Sequence, residues 1–253
     1  ATADGRAAGG ASDRPAISAD GRFVVFASAA SDLTGDDANG GEDVFVHDMT
    51  AGKLTRVSTN AAGEEGDAAS GLGAVAVSGD GRYVAFDSAA SNLVDGDGNA
   101  KRDIFVKDTT GGAVTRISTG AAGEEGQEDS YMSVSLSADG SLAVFQSNAP
   151  NLIPGDANAR SDIFLRDMKS GAVTIVSMSA AGAQGKEHTE SARISGDGER
   201  IAFDSLEALV AADTNRKRDV FLKLPGAGPA AAADDPQAET LIRVSTSTSR
   251  VLD

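Results

Sequence analysis

Residues 78–118 read SGDGRYVAFDSAASNLVDGDGNAKRDIFVKDTTGGAVTRIS. Two short apolar runs, Val75-Ala-Val-Ser78 and Tyr83-Val-Ala-Phe86, flank Asp80-Gly81. Asp-Gly between such runs is the favoured two-residue hairpin turn, in which both central positions take φ > 0. A polar loop leads to Asp103-Ile-Phe105, and a turn at Gly112 leads to the final run ending Arg116-Ile-Ser118. The stretch therefore predicts the second, third and fourth strands of a four-stranded unit, with 75–78 as the first.

The same landmarks recur along the chain. Ser-x-Asp-Gly stands at Ser18, Ser78, Ser137 and Ser195. The Asp-Val/Ile-Phe step stands at Asp43, Asp103, Asp162 and Asp219, and the closing serine at Ser58, Ser118, Ser177 and Ser245. Repeat units of about 1–58, 59–118, 119–177 and 178–245 follow, and residues 246–253 begin what would be a fifth. Short strands at regular spacing without helical periodicity indicate an all-β repeat architecture. Of 9 phenylalanines, 8 hold equivalent places: Phe26, Phe86, Phe145 and Phe203 in the second strands, Phe45, Phe105, Phe164 and Phe221 in the third. A second strand such as Phe23-Val-Val-Phe26 is apolar on both faces, and a sheet of that kind must be covered on both. Radially stacked sheets meet the need, so the expected fold is a β-propeller of four blades, each of four antiparallel strands. Residues 225–240 form a Pro/Ala/Gly-rich insertion in the last unit.

The nearly continuous pattern of residues 78–118 resembles the WD40-like, TolB-type propeller repeats of bacterial secreted and envelope proteins. The resemblance covers about 1–245, all four units. It implies a single β-propeller domain over 1–253 in a secreted, periplasmic or cell-surface protein. Most such relatives have more than four blades. A shared fold does not assign an activity.

Composition narrows the partners. The chain has 253 residues, 22 Lys+Arg against 38 Asp+Glu, and a formal net charge of −16. Nucleic-acid binding, which runs on clustered Lys and Arg, is disfavoured, as is attraction to anionic membranes. No apolar run is long enough to span a bilayer, so no membrane insertion is expected. Cysteine is absent, which removes disulfides, thiolate metal sites and cysteine nucleophiles.

Strand parity places the long polar second-to-third-strand loops on one face of the disc, together with the crossovers between units. Loops held by a rigid scaffold are where binding residues concentrate, so this loop face is the candidate functional face. All four loops carry Asp-x-Asn-x-x-x-Asp: Asp37/Asn39/Asp43, Asp97/Asn99/Asp103, Asp156/Asn158/Asp162 and Asp213/Asn215/Asp219, extended by Asp95 in the second unit. Alternating oxygen-bearing side chains can converge on Ca²⁺, although the Gly and bidentate Glu of an EF-hand loop are missing. The same residue types also make Asx turns that launch a strand, and a fold-maintaining turn should recur in every blade. The crossovers add Glu64, Glu65, Glu124 and Glu125, which can complete a cation site or pair with Lys101, Arg102 or Arg160. The recurring serines read as strand-end hydrogen bonding.

Catalytic signatures are absent. His47 and His188 have no repeated partner, and no Gly-x-Ser-x-Gly, His-Glu-x-x-His or P-loop pattern occurs. The reading is a non-enzymatic binding or assembly scaffold with a protein or glycan partner, possible self-association and a possible Ca²⁺ cofactor. The alternatives are a propeller hydrolase or lyase with carboxylates at the central channel, and a self-assembling structural protein.

Overall fold

A computed structural model describes residues 6–179, 181–211, 213–224 and 241–245. The insertion 225–240 lies outside them. Among these residues sixteen strands form four antiparallel sheets in simple meander order. The first blade holds β1 (Ser12–Ile17), β2 (Phe23–Ser28), β3 (Asp43–Asp48) and β4 (Lys53–Arg56). The second holds β5 (Ser70–Val77), β6 (Tyr83–Ser88), β7 (Asp103–Asp108) and β8 (Val114–Arg116). The third holds β9 (Ser130–Leu136), β10 (Leu142–Ser147), β11 (Asp162–Asp167) and β12 (Val173–Ile175). The fourth holds β13 (Thr189–Ile194), β14 (Ile201–Ser205), β15 (Asp219–Lys223) and β16 (Leu241–Arg243).

The eight repeated phenylalanines face one another in pairs across the second and third strands, Phe26 opposite Phe45 and so on through Phe203 opposite Phe221. Each pair is stacked, with centroids 5.8–6.0 Å apart. These rings point toward the preceding blade, and Val and Ile side chains point toward the next. Phe86 and Phe105 share a core with Val25, Val44, Val46 and Val57 of the first blade. Phe145 and Phe164 meet Ile104, Val106 and Ile117, while Phe203 and Phe221 meet Val144, Ile163 and Val176. Every interior contact thus joins a phenylalanine face to an aliphatic face. Burying one such ring contributes about 1.5–3 kcal/mol.

The sheets pack first on second, second on third and third on fourth, with β1, β5, β9 and β13 innermost. Among the described residues the fourth sheet makes no comparable contact with the first. The four blades, as far as the described residues go, form an open arc of a propeller.

Two local expectations need correction. The Asp-Gly turn is not a two-residue hairpin with both residues at positive φ. Gly21 has φ 73°, but Asp20 is not left-handed, and five residues separate β1 from β2. Gly21 N–H donates to Ser18 C=O (2.9 Å), as in a turn followed by a left-handed bulge glycine. Asp20 instead accepts from the Ser18 hydroxyl (2.6 Å) and Arg22 N–H (3.0 Å), and this arrangement recurs in all four blades. The innermost strands also start earlier than the apolar pattern suggests. Each carries a bulge that shifts its register and breaks the alternation, with Arg14, Gly71, Met132 and Ser191 at positive φ.

Candidate functional site

The repeated Asp-x-Asn-x-x-x-Asp loops converge on an arginine from the fourth strand of their own blade. In the second blade Arg116 lies 2.8 Å from Asp97, 3.5 Å from Asp103 and 2.8 Å from Glu125 of the following crossover. In the first, Arg56 lies 3.1 Å from Asp43, 3.1 Å from Glu65 and 3.2 Å from Asp36. Here Asp36 takes the place at the arginine that Asp97 holds next door. In the fourth, Arg243 lies 3.2 Å from Asp213 and 3.4 Å from Asp219. The third blade has Ile175 at the arginine position and Gln184 at the glutamate position. Gln184 Nε2 donates to Asp156 (2.6 Å) and Asp162 (3.1 Å), so an amide replaces the guanidinium as the donor between the two aspartates.

The asparagines make Asx turns. Asn99 Oδ1 accepts from Lys101 N–H (2.9 Å) and Asn158 from Arg160 N–H (2.9 Å), and Asn39 and Asn215 accept from Gly41 and Lys217. The Nδ2 groups of Asn39, Asn99 and Asn158 donate to the carbonyls of Gly66, Gly126 and Gly185 in the following crossovers. The crossovers bond onward to the next blade: Asn92 and Asn151 donate to the carbonyls of Glu65 and Glu125. The loop face is one continuous hydrogen-bonded surface.

The last aspartate of each motif is fixed from below. Asp43 accepts from the Ser58 hydroxyl (2.7 Å), whose oxygen accepts from Val44 N–H (3.1 Å). Asp103–Ser118–Ile104, Asp162–Ser177–Ile163 and Asp219–Ser245–Val220 repeat this. Taking these carboxylates out of water raises their proton affinity. Burial pushes Asp43 up to about 6, with Glu65 close by adding to it, and Asp97 up to about 6. Burial also raises Asp103 and Asp162. Asp219, at the open end of the arc, is instead lowered, chiefly by the Ser245 hydroxyl.

Sequence reasoning identified both aspartates and the asparagine of each motif but missed Arg56, Arg116 and Arg243. The signal was present: Arg and Glu occur nine residues apart in the first two units, and the third loses both together. Asp95 is exposed and is not among the partners of Arg116. Glu65 and Glu125 pair with these arginines, whereas Lys101 pairs with Glu128 (2.8 Å) and Arg102 with the buried Asp87 (2.7 Å). His188 Nδ1 accepts from Ser161 N–H (3.1 Å), a place where Asp129 accepts from Arg102 N–H (2.8 Å) in the preceding blade. It therefore acts as a loop anchor. Beside the fourth blade's loop lies a depression of about 680 Å³, lined by Glu187, Leu206, Glu207, Asp213, Thr214 and Arg216.

No family model matches the chain, and no curated protein matches it in sequence. Solved structures match it in fold. TolB from Acinetobacter baumannii does so at TM-score 0.51 and 16% identity, over 85% of this chain and 41% of that one. The putative TolB from Agrobacterium tumefaciens gives 0.51 and 15%, over 94% and 63%. A structure of prolyl endopeptidases gives 0.51 and 14%, over 86% and 28%. The chain has a TolB-like β-propeller fold and spans about half the length of those two TolB chains. Identities this low establish fold and nothing finer.

Proposed function

We propose that the chain is a non-catalytic binding scaffold, working in the cell envelope or outside the cell, that presents its loop face to a protein or glycan. The observation that carries this reading is the stitching of loops and crossovers into one surface by repeated arginine–carboxylate and asparagine bonds. Such bracing lowers the entropy lost when a partner binds. The depression beside the fourth blade, with Glu187, Glu207 and Asp213 on its walls, favours a partner that brings cationic or hydroxyl groups. No helix among the described residues is long and apolar enough to cross a membrane. The test is binding to glycan and basic-peptide arrays. Glu187→Lys on the loop face should abolish the signal, and Lys169→Glu, in an exposed turn on the opposite face, should leave it unchanged. Turnover of peptide or glycoside substrates that disappears in His188→Ala would overturn the reading.

Calcium is a second reading with one observation in its favour. Carboxylate oxygens of Asp37, Asp43 and Glu65 lie within 4.8 Å of one another. Arg56 already supplies a positive charge to Asp43 and Glu65. Melting of chelator-treated protein with millimolar Ca²⁺ decides between the two, since a ligand of the native state raises its stability. A rise of several degrees that Asp37→Ala abolishes would establish calcium, and no rise would leave the loops to their arginines.

A further inference from the structure

A cavity of about 370 Å³ opens where the outer strands of the first blade meet the second blade, and every residue lining it belongs to these two blades or their crossover. Val46, Leu54 and Val57 give it apolar walls. Its charged lining is Lys53, Lys107, Arg56 and Asp36. Arg56 and Asp36 already pair with each other, and Asp43 and Glu65 hold Arg56 as well. The two lysines are not compensated in this way. Lys107 is 7% exposed and donates to neutral oxygens: the carbonyls of Thr59 (3.1 Å) and Asn60 (2.7 Å) and the Thr59 hydroxyl (3.2 Å). Its hydrogens are satisfied but its charge is not, and burial with no carboxylate to offset it lowers its proton affinity. Lys53 is exposed and forms no ion pair among the described residues. Two uncompensated ammonium groups beside apolar walls stand out in a chain of net charge −16.

Bracing of the crossover does not account for the cavity. In the third blade Arg166 takes the place of Lys107 and donates in the same way to the carbonyls of Thr119 (3.2 Å) and Gly120 (3.4 Å). There, however, Met168 stands in the place of Thr109 and packs against the core, and Ala113 stands in the place of Lys53. The junction of the first two blades thus departs from the repeat by losing bulk and gaining a cation. We infer that this cavity binds a small organic carboxylate, with its apolar chain along Val46, Leu54 and Val57 and its carboxylate paired with Lys107 and Lys53. An anion there compensates the buried ammonium, which no carboxylate among the described residues does. The Thr59 hydroxyl, whose oxygen accepts from Lys107, keeps its proton to donate to the same carboxylate. The volume is within the range of small-molecule sites. The site lies at a blade junction, so loop-face binding can fail without affecting it.

The experiment is calorimetric titration of the full chain with octanoate, octanol and octylammonium, with amide NMR shifts to locate the site. Octanoate should bind with a Kd of about 1 mM or tighter. The other two keep the apolar chain without the negative charge and should bind at least roughly tenfold more weakly. Amide shifts on adding octanoate should centre on Val46, Thr55, Thr59 and Lys107. Thr109→Met copies the third blade and fills the cavity; it and Lys107→Met should each weaken octanoate binding by roughly tenfold or more. Lys53→Ala copies the second and third blades and should weaken it by roughly threefold, as for an exposed pair. Thr109 and Lys53 are exposed, so unchanged melting verifies that their variants fold, and these two carry the test if Lys107→Met does not fold. No octanoate binding up to roughly 10 mM overturns the inference. Octylammonium binding as tightly as octanoate, octanoate binding unchanged in both Thr109→Met and Lys53→Ala, or shifts confined to other parts of the molecule overturn it equally.

Discussion

Arg116→Ile removes the cation from a cluster of three carboxylates. The Asp103 side chain is fully buried and that of Asp97 is 5% exposed, so neither gains water when the guanidinium goes. Breaking a buried ion pair from one side costs about 3–5 kcal/mol, because the remaining charge is uncompensated. A chain of this size loses about 2–4 °C per kcal/mol, so Tm should fall by roughly 6–20 °C. The third blade shows how the loss is offset, since Ile175 stands there with Gln184 bridging Asp156 and Asp162. Arg116→Ile combined with Glu125→Gln copies that arrangement, removing one carboxylate and adding an amide donor. The double variant should regain about half of the loss, roughly 2 kcal/mol, and the coupling is that gain plus the cost of Glu125→Gln alone. Guanidinium unfolding of the wild type, both single variants and the double gives the cycle directly. A single variant within 1 kcal/mol of wild type, or a double no more stable than Arg116→Ile, would refute the view that these arginines brace the loops.

Three further outcomes follow from the geometry. A Cβ on Gly81 would lie 2.0–2.6 Å from Phe23 ring atoms of the neighbouring blade, and Gly81 also has positive φ, so Gly81→Ala should cost well over the roughly 1 kcal/mol expected for Gly171→Ala, which has positive φ in open space; equal losses in thermal melts would contradict the close approach. The raised Asp43 and Asp97 bind protons in the native state that the unfolded chain does not bind between about pH 4 and 6, so stability falls as pH rises through that window and increases on acidification from 7 to about 5, by about 1–2 kcal/mol per group after screening. Below about pH 4 the lowered Asp48 and Asp108, paired with Arg22 and Arg82, reverse the trend, and a Tm that peaks at pH 7 or above would contradict this assignment. Asn99→Ala removes the Asx turn and the bonds to Asp103 and Gly126, and it should cost about 1–3 kcal/mol and speed amide exchange at Lys101; unchanged exchange would show that the turn holds without it.

The repeat, the strand types and the phenylalanine positions were legible because each rests on local chemistry restated four times. Phe86 and Phe105 stood out because their equivalents recur in every unit, one in the second strand and one in the third. The turn type was not legible, because Asp-Gly suits several turns and the Ser18 hydroxyl that selects among them lies two residues upstream. The length of β9 was hidden by a bulge at Met132, which puts the alternation out of phase. In the site, the aspartates announced themselves by their spacing. Arg116 did not, since its partners Asp97 and Glu125 lie 19 residues before it and 9 after, in separate loops. The exposure of Val220 could not be read at all: it is as apolar as Val44, and among the described residues only the lack of a neighbouring sheet distinguishes them.

The sharing of each crossover between two blades gives the molecule an uneven kinetic landscape. Residues 57–69 bond to the loop of the first blade through Ala38 and Asn39 and to the loop of the second through Ser91 and Asn92. A blade in the middle therefore cannot open without loosening both neighbours, while an end blade loosens one. Such a chain behaves as a one-dimensional lattice with nearest-neighbour coupling, in which opening begins at the ends and moves inward. Hydrogen exchange would then report a gradient, with the amides of β6, β7, β10 and β11 slowest and protection decreasing toward the first and fourth blades.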